Sequence, residues 1–346
     1  MFHFFTLLIG LYVAARFVPS LPVGIGGKWL VALGILLVSQ YYLFGRLSFG
    51  GMASPEIPFG ALAFLGGLFG ALILLAVFLL LKDVVSLFWW TGYKIGWLPS
   101  EPIPVYRINV ALAISALVLA AIGVWQAVRV PDVRRVDITL NRLPPEWDGL
   151  KLVQLTDLHA SRLFEAPWMR AVVSKTNALN PDLIVITGDL VDGTTANRAR
   201  DVAPLKDLKA RLGVFVVTGN HEYYSNYRDW MAAFDRLGLS VLKNSHVVLS
   251  PKGSPLVLAG VTDRVAAGFG LPAPDVETAL SGTPDDAPVI LLAHQPKGAA
   301  RYADAGVDLQ LSGHTHGGQV LGIHWLTQLA TEGYVSGRYR VGDMEL

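Results

Sequence analysis

Long apolar runs fill the first third of the chain, and short ones separated by polar turns fill the rest. Four long stretches stand out: Phe2–Phe17, Trp29–Phe44, Phe59–Leu81 and Asn109–Val128. A helix needs about 20 apolar residues to cross a bilayer, so the last two predict spans. The first two fall short of that length, and the Pro/Gly-rich Pro19–Gly27 between them suits a tight hairpin. Trp29, Tyr41, Tyr42, Trp89, Trp90 and Trp97 fall near the predicted ends, as interfacial aromatics do. The first stretch lacks a charged start, so a retained span fits it better than a signal peptide, although Val13-Ala14-Ala15 loosely resembles a cleavage site. Gly66 and Gly70 make a small-residue face suited to helix packing. No span carries an acid–base pair, so no transport pathway is expected.

After a short basic linker, Pro131–Arg135, the pattern changes. Val136–Leu140 and Leu150–Leu155 read as strands around a Pro144-Pro145 turn. Pro167–Ala178 reads as a helix, Asp182–Thr187 as a buried strand, Val202–Leu212 as a helix and Val214–Thr218 as a strand. Tyr227–Leu237 suits a helix with Trp230 and Phe234 on one face. Leu256–Val261, Val289–Ala293 and Val307–Leu311 read as further strands. Such alternation predicts an α/β unit over 131–346 behind an all-α membrane region over 1–130, with ligands at the carboxyl ends of the strands.

Composition sharpens this division. The 346 residues are 52% hydrophobic and 16% charged, against about 25% charged in a soluble domain. Only nine of the 28 basic and 27 acidic side chains fall between Met1 and Val128. The net charge of +1 and the lack of a basic face argue against a nucleic-acid partner. Without cysteine, disulfides and thiolate ligands are excluded. Basic residues flanking the spans are nearly balanced between the two sides, so they do not orient the chain.

Five strand ends carry polar groups of one kind. Leu311-Ser312-Gly313-His314-Thr315-His316-Gly317-Gly318-Gln319 follows one apolar run; in extended backbone its two histidines point the same way. Thr156-Asp157-Leu158-His159 repeats that spacing. Asp189 opens Gly188-Asp189-Leu190-Val191-Asp192-Gly193, where a carboxylate can bridge two cations and Asp192 suits a turn. Gly219-Asn220-His221-Glu222 offers a carboxamide, and an imidazole placed for a substrate oxygen; Asn220 also suits a helix cap. His294 ends Val289–Ala293. His3, His246 and His324 lack such context and read as structural. Burying so many polar groups without a partner costs several kcal/mol each, and nitrogen and oxygen donors without sulfur suit Mn, Fe or Zn.

The ordered set TDLH, GDLVDG, GNHEYY, AHQP and GHTHGGQ resembles the calcineurin-like metallophosphoesterase family, most closely its YkuE/YaeI-like bacterial branch, from about Val136 to the end. The resemblance implies a four-layer sandwich of two mixed β-sheets flanked by helices. It implies a two-metal centre: Asp157, His159 and His316 on one ion, Asn220, His294 and His314 on the other, Asp189 bridging. His221 matches the family histidine that contacts the phosphate and assists the leaving group. Related domains usually continue past Met344-Glu345-Leu346 with a closing strand, so the second sheet is expected to end differently or to be cut short.

The expected activity is a membrane-anchored phosphoesterase that cleaves a phosphodiester or pyrophosphate. Two cations about 3.5–4 Å apart would activate a bridging hydroxide, with His221 and Asp189 as catalytic groups. A lipid-linked or envelope substrate and membrane-lipid partners are expected, with Tyr223, Tyr224, Tyr227 and Trp230 lining an amphipathic route. The resemblance favours an extracytoplasmic catalytic unit in a bacterial membrane. The competing expectation is a membrane scaffold or sensor that binds a phosphorylated ligand without turnover.

Overall fold

The computed structural model describes residues 2–49, 55–98, 105–251, 253–318 and 324–346; Gln319 of the last motif lies outside them. The chain divides into two units, Met1–Arg129 and Val130–Leu346.

The first unit is helical: α1 (Phe2–Phe17), α2 (Ile25–Ser39), α3 (Tyr41–Phe49), α4 (Phe59–Lys94) and α5 (Val105–Ala127). Three of its helices are long and apolar enough to cross a membrane. The second apolar stretch is not one rod but two helices, α2 and α3, bent by 55° after Ser39. Val13, Leu72, Leu75, Leu79 and Ala116 form its core, while Trp29, Phe64, Ile114 and Trp125 stay exposed as lipid-facing groups do. Of the predicted small-residue face, Gly70 approaches Ala120, but Gly66 meets nothing; Gly67, against Val124, takes its place. The α4 helix runs past the apolar stretch to Lys94.

The second unit begins without the predicted strand at Val136–Leu140, which forms no ladder. Four of those five residues are exposed, so nothing buries an apolar face there. The order of elements is β1 (Leu152–Leu155), α6 (Ala166–Asn177), β2 (Leu183–Thr187), α7 (Thr195–Val202), β3 (Val214–Val217), α8 (Asn220–Tyr224), α9 (Tyr227–Arg236) and β4 (Ser240–Val241). There follow β5 (Ser245–Leu249), β6 (Leu256–Gly260), α10 (Val276–Leu280), β7 (Val289–Leu292), α11 (Ala299–Asp304), β8 (Leu309–Leu311), α12 (His324–Ala330), β9 (Arg340–Val341) and β10 (Met344–Glu345). The helix expected over Val202–Leu212 is instead α7 followed by a 3-10 turn, Ala203–Asp207. Ala203 keeps helical angles, but Pro204 has no N–H to donate to the carbonyl four residues back, so the α-helical ladder stops at Val202 and a 3-10 turn follows.

One sheet has the order β1-β2-β3-β4 and is parallel throughout. The other, β5-β6-β7-β8-β10-β9, is mixed, with antiparallel pairs at both edges. The final residues enter that sheet, where β10 pairs with β8.

Period-two alternation builds the layers. Leu183, Val185, Phe215 and Val217 face inward against Leu256, Leu258, Ile290 and Leu292 of the other sheet. Ile184, Ile186 and Val216 face outward against Met169, Val172, Trp230 and Phe234 of α6 and α9. Val257, Ala259 and Leu291 pack outward against Val276, Ala279, Ala299 and Tyr302 of α10 and α11. The result is helices, sheet, sheet, helices. Strands buried on both faces, such as β2 and β6, are the ones whose sequence is a continuous apolar run.

Candidate metal centre

All the predicted donors leave the carboxyl ends of β1, β2, β3, β7 and β8, and they converge. Asp157, His159 and His316 form one group of mutually close ligand atoms, and Asp189, His294 and His314 form another. His159, Asp189 and His221 form a third that links them.

In the first group His316 Nε2 lies 3.3 Å from Asp157 Oδ1 and 3.1 Å from His159 Nε2. In the second, His294 Nε2 is 3.2 Å from Asp189 Oδ2, 3.1 Å from Asn220 Oδ1 and 3.2 Å from His314 Nδ1. Asp189 Oδ2 is also 3.8 Å from His159 Nε2, so one carboxylate oxygen reaches toward both groups. Asn220 does not cap its helix with its side chain; Gly219 holds that position and the carboxamide turns to His294.

The spacing argument for His314 and His316 is corrected in its physics. Neither the GHTH segment nor the DLH segment is extended. Asp157, His159, Asp189, His314 and His316 all have positive φ, between 44° and 71°. Left-handed backbone is unfavourable for side-chain-bearing residues and concentrates at functional sites. It sends His314 to the Asp189 group and His316 to the Asp157 group, rather than both to one spot.

The glycines of these motifs leave room for the carboxylates. A Cβ on Gly313 would collide with the Thr156 hydroxyl and the Asp157 carboxylate. Gly188, at φ +94°, would meet the Gly219 backbone and His294 Nδ1. Beneath them Glu222, fully buried, accepts the backbone N–H groups of Gly219 at 2.7 Å, Leu190 at 2.7 Å and Asp189 at 3.1 Å.

Asp192, read from sequence as a turn residue, has a larger part. Its Oδ1 accepts from His159 Nδ1 at 3.1 Å and from His221 Nδ1. Each imidazole thus presents Nε2 to the centre. His221 Nε2 lies 3.9 Å from Asp189 Oδ2 with no hydrogen bond of its own among the described residues. Burial disfavours the charged form of His221, but the Asp192 hydrogen bond and the nearby Asp189 outweigh it and push the pKa up to about 9. Burial works against Asp157 as well, yet the His316 contact and neighbouring imidazoles hold its carboxyl below the usual range. His314 is driven the other way, down to about 4, by burial and by the charge of His294.

The donor set fits metal ions on its own terms. The Thr187 carbonyl can only accept, so His294 Nδ1, 2.8 Å away, carries the proton. Its Nε2 then faces a carboxylate oxygen, a carboxamide oxygen and His314 Nδ1 at once. One proton could bridge one of these pairs; a cation satisfies them all.

Beside Asp157 and His316 opens a cavity of about 490 Å³ whose walls include Arg134, Val136, Ile138, Tyr334 and Tyr339. Gln310, at its base, is fully buried and its Oε1 has no partner among the described residues. The tyrosine route is only partly as expected. Trp230 and Tyr223 are buried, Trp230 donating to Gly193 O. Tyr224 alone is a rim group, 60% exposed, its ring 5.7 Å from that of His221. Of the histidines set aside, His246 is tied to the Ala279 carbonyl at 2.8 Å.

Fold and donors define a class: an α/β sandwich with His/Asp clusters able to hold metal ions at its strand ends. The family model described as calcineurin-like phosphoesterase matches residues 150–318. A Bos taurus protein named transmembrane protein with metallophosphoesterase domain is 34% identical over 322 residues, covering 89% of this chain and 69% of that one. A Danio rerio protein of the same name is 37% identical, over 69% of this chain and 56% of its own. The Bacillus subtilis metallophosphoesterase YkuE is 35% identical, over 59% of this chain and 72% of its own. The chain belongs to the calcineurin-like metallophosphoesterase family. It is a metal-dependent phosphoesterase with apolar N-terminal helices, and two of these relatives are named as transmembrane proteins.

Proposed function

We propose that this chain is a membrane-anchored phosphodiesterase or pyrophosphatase acting on a lipid-linked or envelope ester, with two metal ions held as above. The observation that carries the reading is the meeting of His294 Nε2, Asp189 Oδ2, Asn220 Oδ1 and His314 Nδ1 at one point, where a single proton serves one pair and a cation serves all, next to the His221 imidazole. Mn, Fe or Zn matches the nitrogen and oxygen donors. Two such ions supply Lewis-acid polarisation of phosphoryl oxygens and a water of lowered pKa. Asp157, His159 and His316 would hold one; Asn220, His294 and His314 the other; Asp189 both.

The remaining steps belong to the chain's own side chains. His221 directs Nε2 at the space above Asp189, where it hydrogen-bonds a phosphoryl oxygen or protonates the leaving oxygen. Asp192 fixes the ring and stabilises its charged form. The cavity beside Asp157 and His316 takes the organic substituent of the ester through Val136, Ile138, Tyr334 and Tyr339, which favours a diester over a bare monoester. Apolar helices in the same chain favour a lipid-borne substituent, and the family resemblance favours an extracytoplasmic catalytic unit.

The test is hydrolysis by the purified full chain, loaded with Mn or Zn, of bis-p-nitrophenyl phosphate, p-nitrophenyl phosphate and a pyrophosphate. Metal-dependent turnover that favours the diester or pyrophosphate and disappears in Asp189→Asn supports the reading. Near-normal metal-dependent hydrolysis in Asp189→Asn defeats it. Two tightly bound metals with no turnover on any substrate would make the protein a binding scaffold.

A further inference from the structure

Within the membrane unit, polar side chains gather where the apolar stretches stop. Arg16 sits in the last turn of α1, Lys82 and Asp83 directly follow the apolar run of α4, and Asn109 opens that of α5. From Asn109 to Ala127, α5 is about 28 Å long at 1.5 Å per residue, close to the ~30 Å hydrocarbon thickness. This polar layer therefore stands at one hydrocarbon boundary.

Its bonds are specific. Arg16 grips Asp83 twice, Nε to Oδ2 and Nη2 to Oδ1, both at 2.7 Å. Tyr12 donates to Asp83 Oδ2 at 2.9 Å. Lys82 Nζ is 3.2 Å from Asp83 Oδ1 and donates to Asn109 Oδ1 at 3.1 Å. Asn109, fully buried, donates to Ser20 Oγ at 3.0 Å and to the Arg16 carbonyl at 3.2 Å.

The charges do not balance. Arg16 and Lys82 share the one carboxylate of Asp83, and Lys28 Nζ donates to the Pro19 carbonyl at 2.9 Å beside them, which leaves an excess of positive charge at the edge of the hydrocarbon. Arg16 and Lys82 also keep N–H donors beyond those Asp83 and Asn109 take, since guanidinium has five and ammonium three. Both line a cavity of about 450 Å³, with Ser20, Pro19 and Tyr106. Basic pockets between helices at this depth suit lipid headgroups, and the Asp83 contacts hold the guanidinium in place before any ligand arrives.

We propose that this cavity binds the phosphate of an anionic phospholipid. The excess positive charge favours an anionic headgroup, so phosphatidylglycerol is preferred over zwitterionic phosphatidylcholine. This site is separate from the metal centre and does not depend on the reading of that centre.

The experiment is native mass spectrometry of the full chain in detergent, titrated with phosphatidylglycerol, phosphatidylcholine or inorganic phosphate. Circular dichroism of each variant reports whether its helices form. The wild type should retain phosphatidylglycerol over phosphatidylcholine by roughly fivefold, the effect of one basic residue beside an anionic headgroup. Lys82→Met should abolish the preference and Lys82→Arg should keep it. Tyr106→Trp, which narrows the cavity without touching an ion pair, should weaken phosphatidylglycerol retention even if Lys82→Met does not fold. Equal retention of the two lipids by the wild type, or undiminished phosphatidylglycerol retention in Tyr106→Trp, would overturn the proposal. Lys82-dependent binding of inorganic phosphate without lipid preference would overturn the lipid assignment.

Discussion

Asp192 and His221 are joined through Oδ1 and Nδ1, and the same carboxylate oxygen also takes the Nδ1 proton of His159. One side chain therefore orients both a candidate metal ligand and the imidazole aimed at substrate. Partners of this kind typically contribute 10–100-fold to activity or metal affinity. Asp192→Asn should lower kcat about 10–100-fold with a smaller change in KM, measured on a soluble diester at saturating metal. A kcat within twofold of wild type would remove Asp192 from the centre.

The same pair predicts a titration. In metal-free protein His221 is pushed up to about 9. Because this exceeds its ordinary 6.5, its contribution to stability is complete below about pH 6.5 and is lost as pH rises through about 9. Without the Asp192 charge, burial dominates and the value falls toward or below 6.5. Histidine-selective NMR of chelator-treated wild type and Asp192→Asn, with His221→Gln for assignment, reads this directly.

Asp189 stands between the two ligand groups, so Asp189→Asn should disturb both. Elemental analysis should show bound metal falling from two ions per chain, and turnover should drop about a thousandfold or more, beyond what loss of one oriented group accounts for. Asn220→Ala should lose less, because it removes a neutral donor from one group only.

Gly313→Ala is a steric test. The added methyl meets the Thr156 hydroxyl and Asp157 carboxylate, with no flexible tail able to yield. Metal affinity should fall at least tenfold while the far-ultraviolet circular dichroism stays that of wild type. Undiminished affinity would show that Asp157 has another available position.

Glu222 tests the floor of the site. Its two oxygens accept three backbone N–H groups, Asp189 and Gly219 on Oε2 and Leu190 on Oε1; Glu222→Gln can keep the first two on its carbonyl oxygen but turns its NH2 toward the Leu190 N–H. A desolvated donor left without an acceptor costs about 1–3 kcal/mol, read as a lower denaturant midpoint. A midpoint unchanged from wild type would mean that the loop rearranges freely.

Much of this was legible in the sequence, for a physical reason. Strands buried on both faces must be continuously apolar, so β2, β3, β6 and β7 announced themselves, and the polar residues at their ends had no packing role to explain them. The two-residue strands β4, β9 and β10 have too few positions to show alternation, and β5 is half-exposed on both faces. Asp192 was passed over because a turn aspartate and a histidine-orienting aspartate look the same until His159 and His221 are seen beside it. The left-handed backbone of the ligand segments was hidden too, because none of those five residues is glycine. Pro204, which lacks an N–H for the α-helical ladder, is the one signal in Val202–Leu212 that a single helix cannot run through it.

The donors come from both halves of the sandwich: Asp157, His159, Asp189 and Asn220 follow strands of one sheet, His294, His314 and His316 strands of the other. Ions held among them would rivet the two sheets at one rim. A chelator would then loosen the molecule as well as silence it, and resistance to proteolysis across the loops after β1 and β8 should rise and fall with metal content.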